Sequence, residues 1–214
     1  MIVSMKKLFT ILIVAYYSIL ARATGLESLE SFVKTVKTGR ADFTQVVTAP
    51  IKDGKVARSK TSTGTFEFSR PGQFRFVYKK PFEQAIVADG QTLWLYDVDL
   101  NQVTARKQAQ VLAATPAALI ASAVDLRALQ AEFTLTDAPD KDGLEWVTAT
   151  PKTKDGQVQS VRIGFRDGLL ASLDILDSFG QNSRLSFQTF QANVLMDAAS
   201  FQFKVPSGAD LIRQ

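Results

Sequence analysis

Carboxylates, arginines and aromatic rings are the side chains of this sequence that could do chemistry, since its 214 residues include neither cysteine nor histidine. That absence excludes a thiol nucleophile, a Ser-His pair and the ordinary zinc sites, and with them most hydrolase and metalloenzyme readings. Asp97 and Asp99 flank the end of an aromatic run beside Tyr96, and their spacing would place both carboxylates on one face of a strand. No base, metal ligand or phosphate loop accompanies them, so we interpret them as solvated acids at a strand end.

Arg70 is the other polar side chain of interest, because it lies in a Ser-Arg-Pro-Gly corner between two aromatic runs. A period of two predicts two β-strands whose aromatic side chains share one face of a sheet. From the residues alone, Arg70 would be a solvated turn residue before Pro71. The aromatic side chains at alternate positions around the corner are Phe66, Phe68, Phe74, Phe76 and Tyr78.

Residues 1–23 have the pattern of a cleaved secretory signal peptide. Lys6 and Lys7 precede an apolar run over 8–20, and Ala21-Arg22-Ala23 predicts cleavage before Thr24; Met1 or Met5 could be the start. The alternative is a membrane anchor, but the apolar run is shorter than the roughly 20 residues that a spanning helix needs. Without a cysteine the chain cannot carry a lipid on an N-terminal thiol, so we expect a soluble exported protein.

The remaining 24–214 segment is predicted to be one domain without a nucleic-acid-binding charge pattern. Loss of Lys6, Lys7 and Arg22 leaves 22 of the 25 basic residues against 21 acidic ones. Five Asp-Gly pairs, at 53–54, 89–90, 142–143, 155–156 and 167–168, predict tight turns. Alternating runs between them predict ten or eleven antiparallel strands, as in all-β sandwiches and barrels.

Two helical segments are predicted beside this sheet. Residues 26–39 place Leu26, Leu29, Val33 and Val36 on one stripe, with Gly39 as the stop. Residues 115–129 begin with Thr115-Pro116, and Asp125 is expected to cap a further short turn. Such short helices cannot cover a large aromatic face. Either the sheet curls and packs on itself, or an apolar cavity lies under a movable helical lid.

Residues 64–103 resemble the signature region of the LolA family of periplasmic outer-membrane lipoprotein carriers. The resemblance rests on G-x-F-x-F-x-R-P-x-x-F-x-F, a following Pro81, D-G-x-x-L-W-x-Y-D and Gln102-Val103. Downstream, "TPAALIA" is similar to the family's lid helix, and upstream an amphipathic helix leads into "ADFTQ". These pieces occur in the family's order and cover nearly the whole of 24–214.

The resemblance implies a mainly β fold: an unclosed, strongly curved antiparallel barrel of about 11 strands, covered by a lid of short α-helices. It implies a monomeric periplasmic carrier, with no enzymatic activity and no cofactor, that shields the acyl chains of outer-membrane lipoproteins. An ATP-driven inner-membrane transporter of the ABC type would supply the cargo, and an outer-membrane acceptor of the LolB type would receive it. Two alternatives keep the fold: a carrier or sensor of free lipid or glycolipid, and a LolB-type acceptor, which the missing cysteine disfavours.

The resemblance also implies roles for individual residues. Arg70 would hold the lid closed through the positions of Ile120, Ala121 and Val33. Phe74 would contact cargo at the cavity mouth, and Phe76 stands where many members carry Trp. For every wall residue the alternative is ordinary core packing, and the sequence leaves open whether Leu93 and Leu95 or Trp94 and Tyr96 face inward. The remaining cavity residues expected are Phe66, Phe68, Tyr78 and Leu119.

Overall fold

The computed structural model describes residues 23–50, 57–111, 123, 125–153 and 156–214. Its helices are α1 (Gly25–Thr35), α2 (Gln108–Val111) and α3 (Leu126–Glu132), and a 3-10 turn spans Ala198–Phe201. Its strands are β1 (Thr38–Thr48), β2 (Ser59–Ser69), β3 (Gln73–Lys80), β4 (Gln84–Asp89), β5 (Thr92–Asp97), β6 (Gln102–Lys107), β7 (Phe133–Lys141), β8 (Leu144–Pro151), β9 (Val158–Arg166), β10 (Leu169–Asp177), β11 (Asn182–Ala192) and β12 (Asp210–Arg213).

All of these strands form one sheet, in the order β12-β6-β5-β4-β3-β2-β1-β11-β10-β9-β8-β7. The two ends of the order, β12 and β7, are edges, so the sheet is unclosed. The prediction of an unclosed, curved, mainly antiparallel sheet is confirmed. The strand count differs by one, because the C-terminal tail forms β12, which pairs in parallel with β6. A strand of four residues is too short to show an alternating pattern in the sequence.

The Asp-Gly pairs at 142–143, 167–168 and 89–90 form tight turns, as predicted. Residues 142–143 and 167–168 join β7 to β8 and β9 to β10, and all four have φ between 52° and 72°. That backbone is the one a type I′ hairpin needs. At the third turn Gly90 has φ 100°, and the Asp89 carboxylate accepts hydrogen bonds from the Gln91 and Thr92 amides. Asp53, Gly54 and Asp155 lie outside the described residues.

Helix α1 begins with a capping box, in which Thr24 and Glu27 exchange side-chain to backbone hydrogen bonds. The prediction that this helix continues to a stop at Gly39 is wrong. Val36 already has an extended backbone, with φ −97° and ψ 108°, and Gly39 lies inside β1. A Cβ at Gly39 would overlap the Phe68 ring, so glycine serves close packing there and not helix termination.

Helix α3 begins where the sequence indicated. The Asp125 carboxylate accepts a hydrogen bond from the Ala128 amide at 2.9 Å, as an N-cap residue does. Leu129 is buried on the inner side of this helix. The predicted helix over 115–129 lies largely outside the described residues, of which only Ala123 and 125–129 belong to it.

The hydrophobic core fills the concave side of the sheet, and α1 lies within it. Phe32 of α1 has its ring centroid 6.2 Å from Phe68, 5.6 Å from Phe165 and 5.8 Å from Phe190. These three rings come from β2, β9 and β11, so the sheet curls around the helix and contacts it from several strands. Burial of each phenylalanine contributes roughly 1.5–3 kcal/mol.

The convex side is also covered, over β3 to β6, by the C-terminal segment. Trp94 stacks on Phe203 with centroids 5.3 Å apart, and Tyr96 lies 6.1 Å from the same ring. Leu93 and Leu95 belong to the concave core instead. This arrangement answers the question that the sequence left open, because Leu93 and Leu95 face inward.

Candidate functional site

Arg70 lies in the turn between β2 and β3 and ties three chain segments together. Its Nε donates to the Val36 carbonyl at 2.9 Å, and one terminal nitrogen donates to the Ala123 carbonyl at 3.0 Å. Its backbone amide donates to the Lys37 carbonyl at 2.9 Å. Arg70 therefore connects the sheet to the residue that ends α1 and to the chain that leads into α3.

The guanidinium of Arg70 is largely buried and finds no carboxylate among the residues that the structure describes. It lies over the rings of Phe32 and Phe68, 5.4 and 5.2 Å from their centroids. Its second terminal nitrogen is buried without a hydrogen-bond partner within the described part of the chain. Burial lowers the pKa of Arg70 from its ordinary value to about 10. Among the described residues, the charge is thus stabilised by carbonyl dipoles and π faces and not by an ion pair.

Gln108 supports this turn, and the sequence analysis missed it. Its side chain is buried; Nε2 donates to the Gly72 carbonyl at 2.6 Å, and Oε1 accepts from the Gly90 amide at 3.0 Å. Its backbone amide donates to the Gln91 carbonyl at 2.8 Å. Gln108 thereby fixes the β2–β3 turn against the β4–β5 turn at the start of α2. No local pattern marks this residue, because its partners are main-chain groups of two remote turns.

The aromatic side chains that the alternating pattern singled out lie together on the concave face. Phe66 stacks on Phe76 with centroids 4.4 Å apart, and Phe43 contacts Phe76 edge-on at 5.4 Å. Tyr78 is half-buried at the end of this row, and burial raises the pKa of its hydroxyl to about 12. The rings from the predicted set that are buried are Phe66, Phe68, Phe74 and Phe76.

The residues expected to contact the lid are only partly within the described chain. Val33 is buried on α1, and its carbonyl accepts a hydrogen bond from the Lys37 ammonium, whereas the guanidinium of Arg70 bonds to Val36 and Ala123. Leu119, Ile120 and Ala121 lie outside the described residues. Val33 also lines a surface cleft of about 260 Å³ between α1 and α3. Within the described residues, this cleft therefore separates α1 from α3.

Of the two aspartates considered for acid–base chemistry, Asp97 has a structural role. The Asp97 carboxylate accepts from the Leu100 amide at 3.1 Å, which closes the β5–β6 turn. Within the described ranges, no three acidic side chains are grouped so as to hold a metal ion. None of the described helices is both long and apolar enough to span a bilayer.

Comparison with known proteins adds to this geometry. Residues 34–204 match the family model described as outer membrane lipoprotein carrier protein LolA. Three proteins named outer-membrane lipoprotein carrier protein are similar to the chain. One from Albidiferax ferrireducens is 70% identical over 212 residues, covering 97% of this chain and 100% of the relative. Those from Methylibium petroleiphilum and Leptothrix cholodnii are 52% and 51% identical over 194 residues, covering 91% of this chain and 92% and 88% of the relatives. This chain belongs to the LolA family of outer membrane lipoprotein carrier proteins.

Proposed function

We propose that this protein is a periplasmic carrier that shields the acyl chains of lipoproteins between the concave face of its sheet and its helical cover. The observation that supports this most strongly is the link at Arg70. A continuous aromatic face lies under segments that Arg70 joins through the main-chain carbonyls of Val36 and Ala123. Such a link can break and re-form without leaving a buried carboxylate unpaired.

The chemistry of the cargo explains why an apolar enclosure is needed. Exposure of one 16-carbon acyl chain to water costs on the order of 12 kcal/mol, at ~0.8 kcal/mol for each CH₂. Transfer from a bilayer to a space lined by phenylalanine is much closer to neutral. A moderate affinity then suffices for uptake and still permits delivery.

The concave face provides suitable side chains for this purpose. Phe66, Phe74 and Phe76 would line the space, with Phe68 and Tyr78 at its two ends. Their packing in the closed state must separate before a chain can enter, and displacement of α1 or of the segment that carries Ala123 would do this. Leu119, Ile120 and Ala121 are proposed to lie on the segment that moves.

The partners follow from the same role. We propose that an inner-membrane ABC-type transporter releases lipoproteins to this protein and that an outer-membrane acceptor of the LolB type receives them. Residues 1–23 would direct export to the periplasm and be removed before Thr24. Thr24 would then stand at the start of the mature chain, where it caps α1.

A release assay tests the proposal. Spheroplasts of the native cell are incubated with purified 24–214 and ATP, and the soluble fraction is examined for a triacylated lipoprotein. We expect a one-to-one complex that requires both ATP and the protein. A preparation without ATP is the control for passive leakage.

Two outcomes would contradict the proposal. Equal release of lipoprotein with and without the protein would contradict the carrier role. Absence of release, together with bound lipid in native mass spectrometry of the purified protein, would favour a carrier or sensor of free lipid or glycolipid on this fold.

A further inference from the structure

The convex face carries a groove that the proposed carrier role does not use. It has a volume of about 430 Å³ and lies between strands β3–β5 and the C-terminal segment at 200–206. Its floor is formed by outward side chains of the sheet, among them Val77, Val87 and Tyr96. Its wall is formed by Phe203 and its neighbours.

Basic side chains mark both ends of this groove. Arg75 and Val77 alternate on the outward face of β3, and Lys79, at the bulge opposite Thr63 and Gly64, also lines the groove. Arg75 and Lys79 are therefore roughly 13 Å apart along the strand. Lys204 of the wall is a third cation, and Glu83 is the single acidic residue among the side chains that line the groove.

Arg75 lacks an acidic partner within the described residues. Its Nε is buried without a hydrogen bond there, and a terminal nitrogen makes only a long contact of 3.5 Å with the Ser200 carbonyl. Glu67, which is opposite Arg75 in the β2–β3 register, already accepts a hydrogen bond from Arg40 at 2.6 Å. A buried guanidinium donor without a partner favours an external anion.

The wall offers a second kind of contact. Phe203, Lys204 and Val205 make no hydrogen bond through their backbone groups to other described residues. Unpaired main-chain N–H and C=O groups beside an apolar floor are suited to an added extended peptide. The groove thus combines a free stretch of backbone with an alternating pattern of cation, apolar side chain and cation.

We propose that this groove binds an extended segment of a partner protein with acidic side chains at positions i and i+4 and an apolar side chain at i+2. In an extended peptide these three side chains share one face. The acidic groups would meet Arg75 at one end and Lys79 with Lys204 at the other, and the apolar side chain would lie on Val77. The main chain of the segment would pair with residues 203–205.

Three labelled peptides test the pattern by fluorescence anisotropy with purified 24–214. The probe is Gly-Ser-Glu-Thr-Val-Thr-Glu-Ser-Gly. One control, Gly-Ser-Thr-Glu-Val-Glu-Thr-Ser-Gly, has the same composition but places the acids on the opposite face from Val. The other replaces both Glu by Lys. We expect measurable binding of the probe alone, and a weakening as the salt concentration rises.

Variants of the protein then locate the site. Arg75→Gln should raise the dissociation constant of the probe about tenfold or more, since a hydrogen bond to a charged group is lost. Lys204→Gln, at an exposed position, should raise it about two- to fivefold. Arg166→Gln, an equal charge change at an exposed residue of β9, should leave it unchanged.

The fluorescence of Trp94, which stacks on Phe203, reports whether the wall is intact in Arg75→Gln. If the wall has moved in Arg75→Gln, binding of the probe to the Lys79→Gln/Lys204→Gln double variant tests the site instead. Neither lysine holds the wall by a described hydrogen bond. Equal binding of all three peptides would overturn the proposal. So would an equal loss in Arg166→Gln, or binding of phosphatidylglycerol vesicles that depends on Arg75 when the probe does not bind.

Discussion

Replacement of Arg70 by leucine tests the closing role of this residue. The substitution removes the hydrogen bonds to Val36 and Ala123 and keeps an apolar side chain against Phe32 and Phe68. If Arg70 links the cover to the sheet, the cover should open more often while the sheet remains folded.

The size of the effect follows from two opposing contributions. Two hydrogen bonds from a charged donor contribute about 1.5–3 kcal/mol each, so about 3–6 kcal/mol together. Burial opposes them, because it lowers the pKa of Arg70 to about 10. This fall corresponds to about 3 kcal/mol against the charged form. The net contribution of Arg70 to closure is then between about 0 and 3 kcal/mol, or up to about a hundredfold in the closed-to-open ratio.

Hydrogen exchange with mass spectrometry measures this ratio locally. In Arg70→Leu we expect exchange to accelerate by up to about a hundredfold in peptides covering 32–38 and 125–132, with little change in β8 to β10. Urea unfolding should show a loss of stability below about 3 kcal/mol. Arg127→Leu, an exposed substitution on α3, is the matched control and should leave exchange unchanged.

Two results would refute the reasoning. Unchanged exchange in both peptides would mean that Arg70 does not restrain the cover. Acceleration that is uniform over all strands would mean that Arg70 stabilises the whole fold and has no separate role in closure. Because closure of the cover competes with bound cargo, Arg70→Leu should retain its lipoprotein longer than the wild type in the release assay. Equal retention would also contradict the closing role of Arg70.

Three further predictions concern single side chains. In Tyr96→Phe of 24–214, Tyr78 is the only tyrosine, and its absorbance change at 295 nm should have a midpoint near 12, falling to about 10 in urea. Because the pKa of Tyr78 is higher in the folded state, the free energy of unfolding should fall by about 3 kcal/mol as the pH rises from about 10 to 12. Gln108→Leu should lower the free energy of unfolding by about 2–4 kcal/mol, since two main-chain groups lose their hydrogen-bond partners. Gln191→Leu, at an exposed position of β11, should change it little. Gly64→Ala should lower the free energy of unfolding by about 1–3 kcal/mol or more, because the added Cβ would overlap the Val77 carbonyl. Gly156→Ala should leave it nearly unchanged, because only an ordinary contact lies near that position. Urea titrations measure both pairs, and equal values within a pair would contradict the structural reason given.

Most of the sheet could be predicted because short local sequence patterns specify its strands and turns. Alternation around Phe66 and Phe76 identifies strands and their shared face, and Asp142-Gly143 identifies a hairpin by its backbone preference. The stripe of α1 follows from helical spacing in the same way. Each of these signals lies within about ten residues of the structure that it predicts.

Two features could not be predicted because they depend on remote segments. Trp94 and Tyr96 face outward although they are large and aromatic, since Phe203, more than 100 residues later, covers them. The parallel pairing of β12 with β6 likewise depends on where the C-terminal tail crosses the sheet. When both faces of a strand are covered, alternation no longer identifies the inner one.

The partners of Arg70 illustrate a more general limit on the contacts that can be predicted from a sequence. Its hydrogen bonds end on the carbonyls of Val36 and Ala123, and every residue has a carbonyl, so the side chains at those positions need not reveal the contact. A guanidinium paired with a carboxylate would have left a charged partner to find in the sequence. It would also have held the cover more strongly, because removal of one member of a buried ion pair leaves the other uncompensated. The property that hides the contact from sequence analysis is thus the same one that, in the proposed function, would keep closure weak enough for cargo to reverse it.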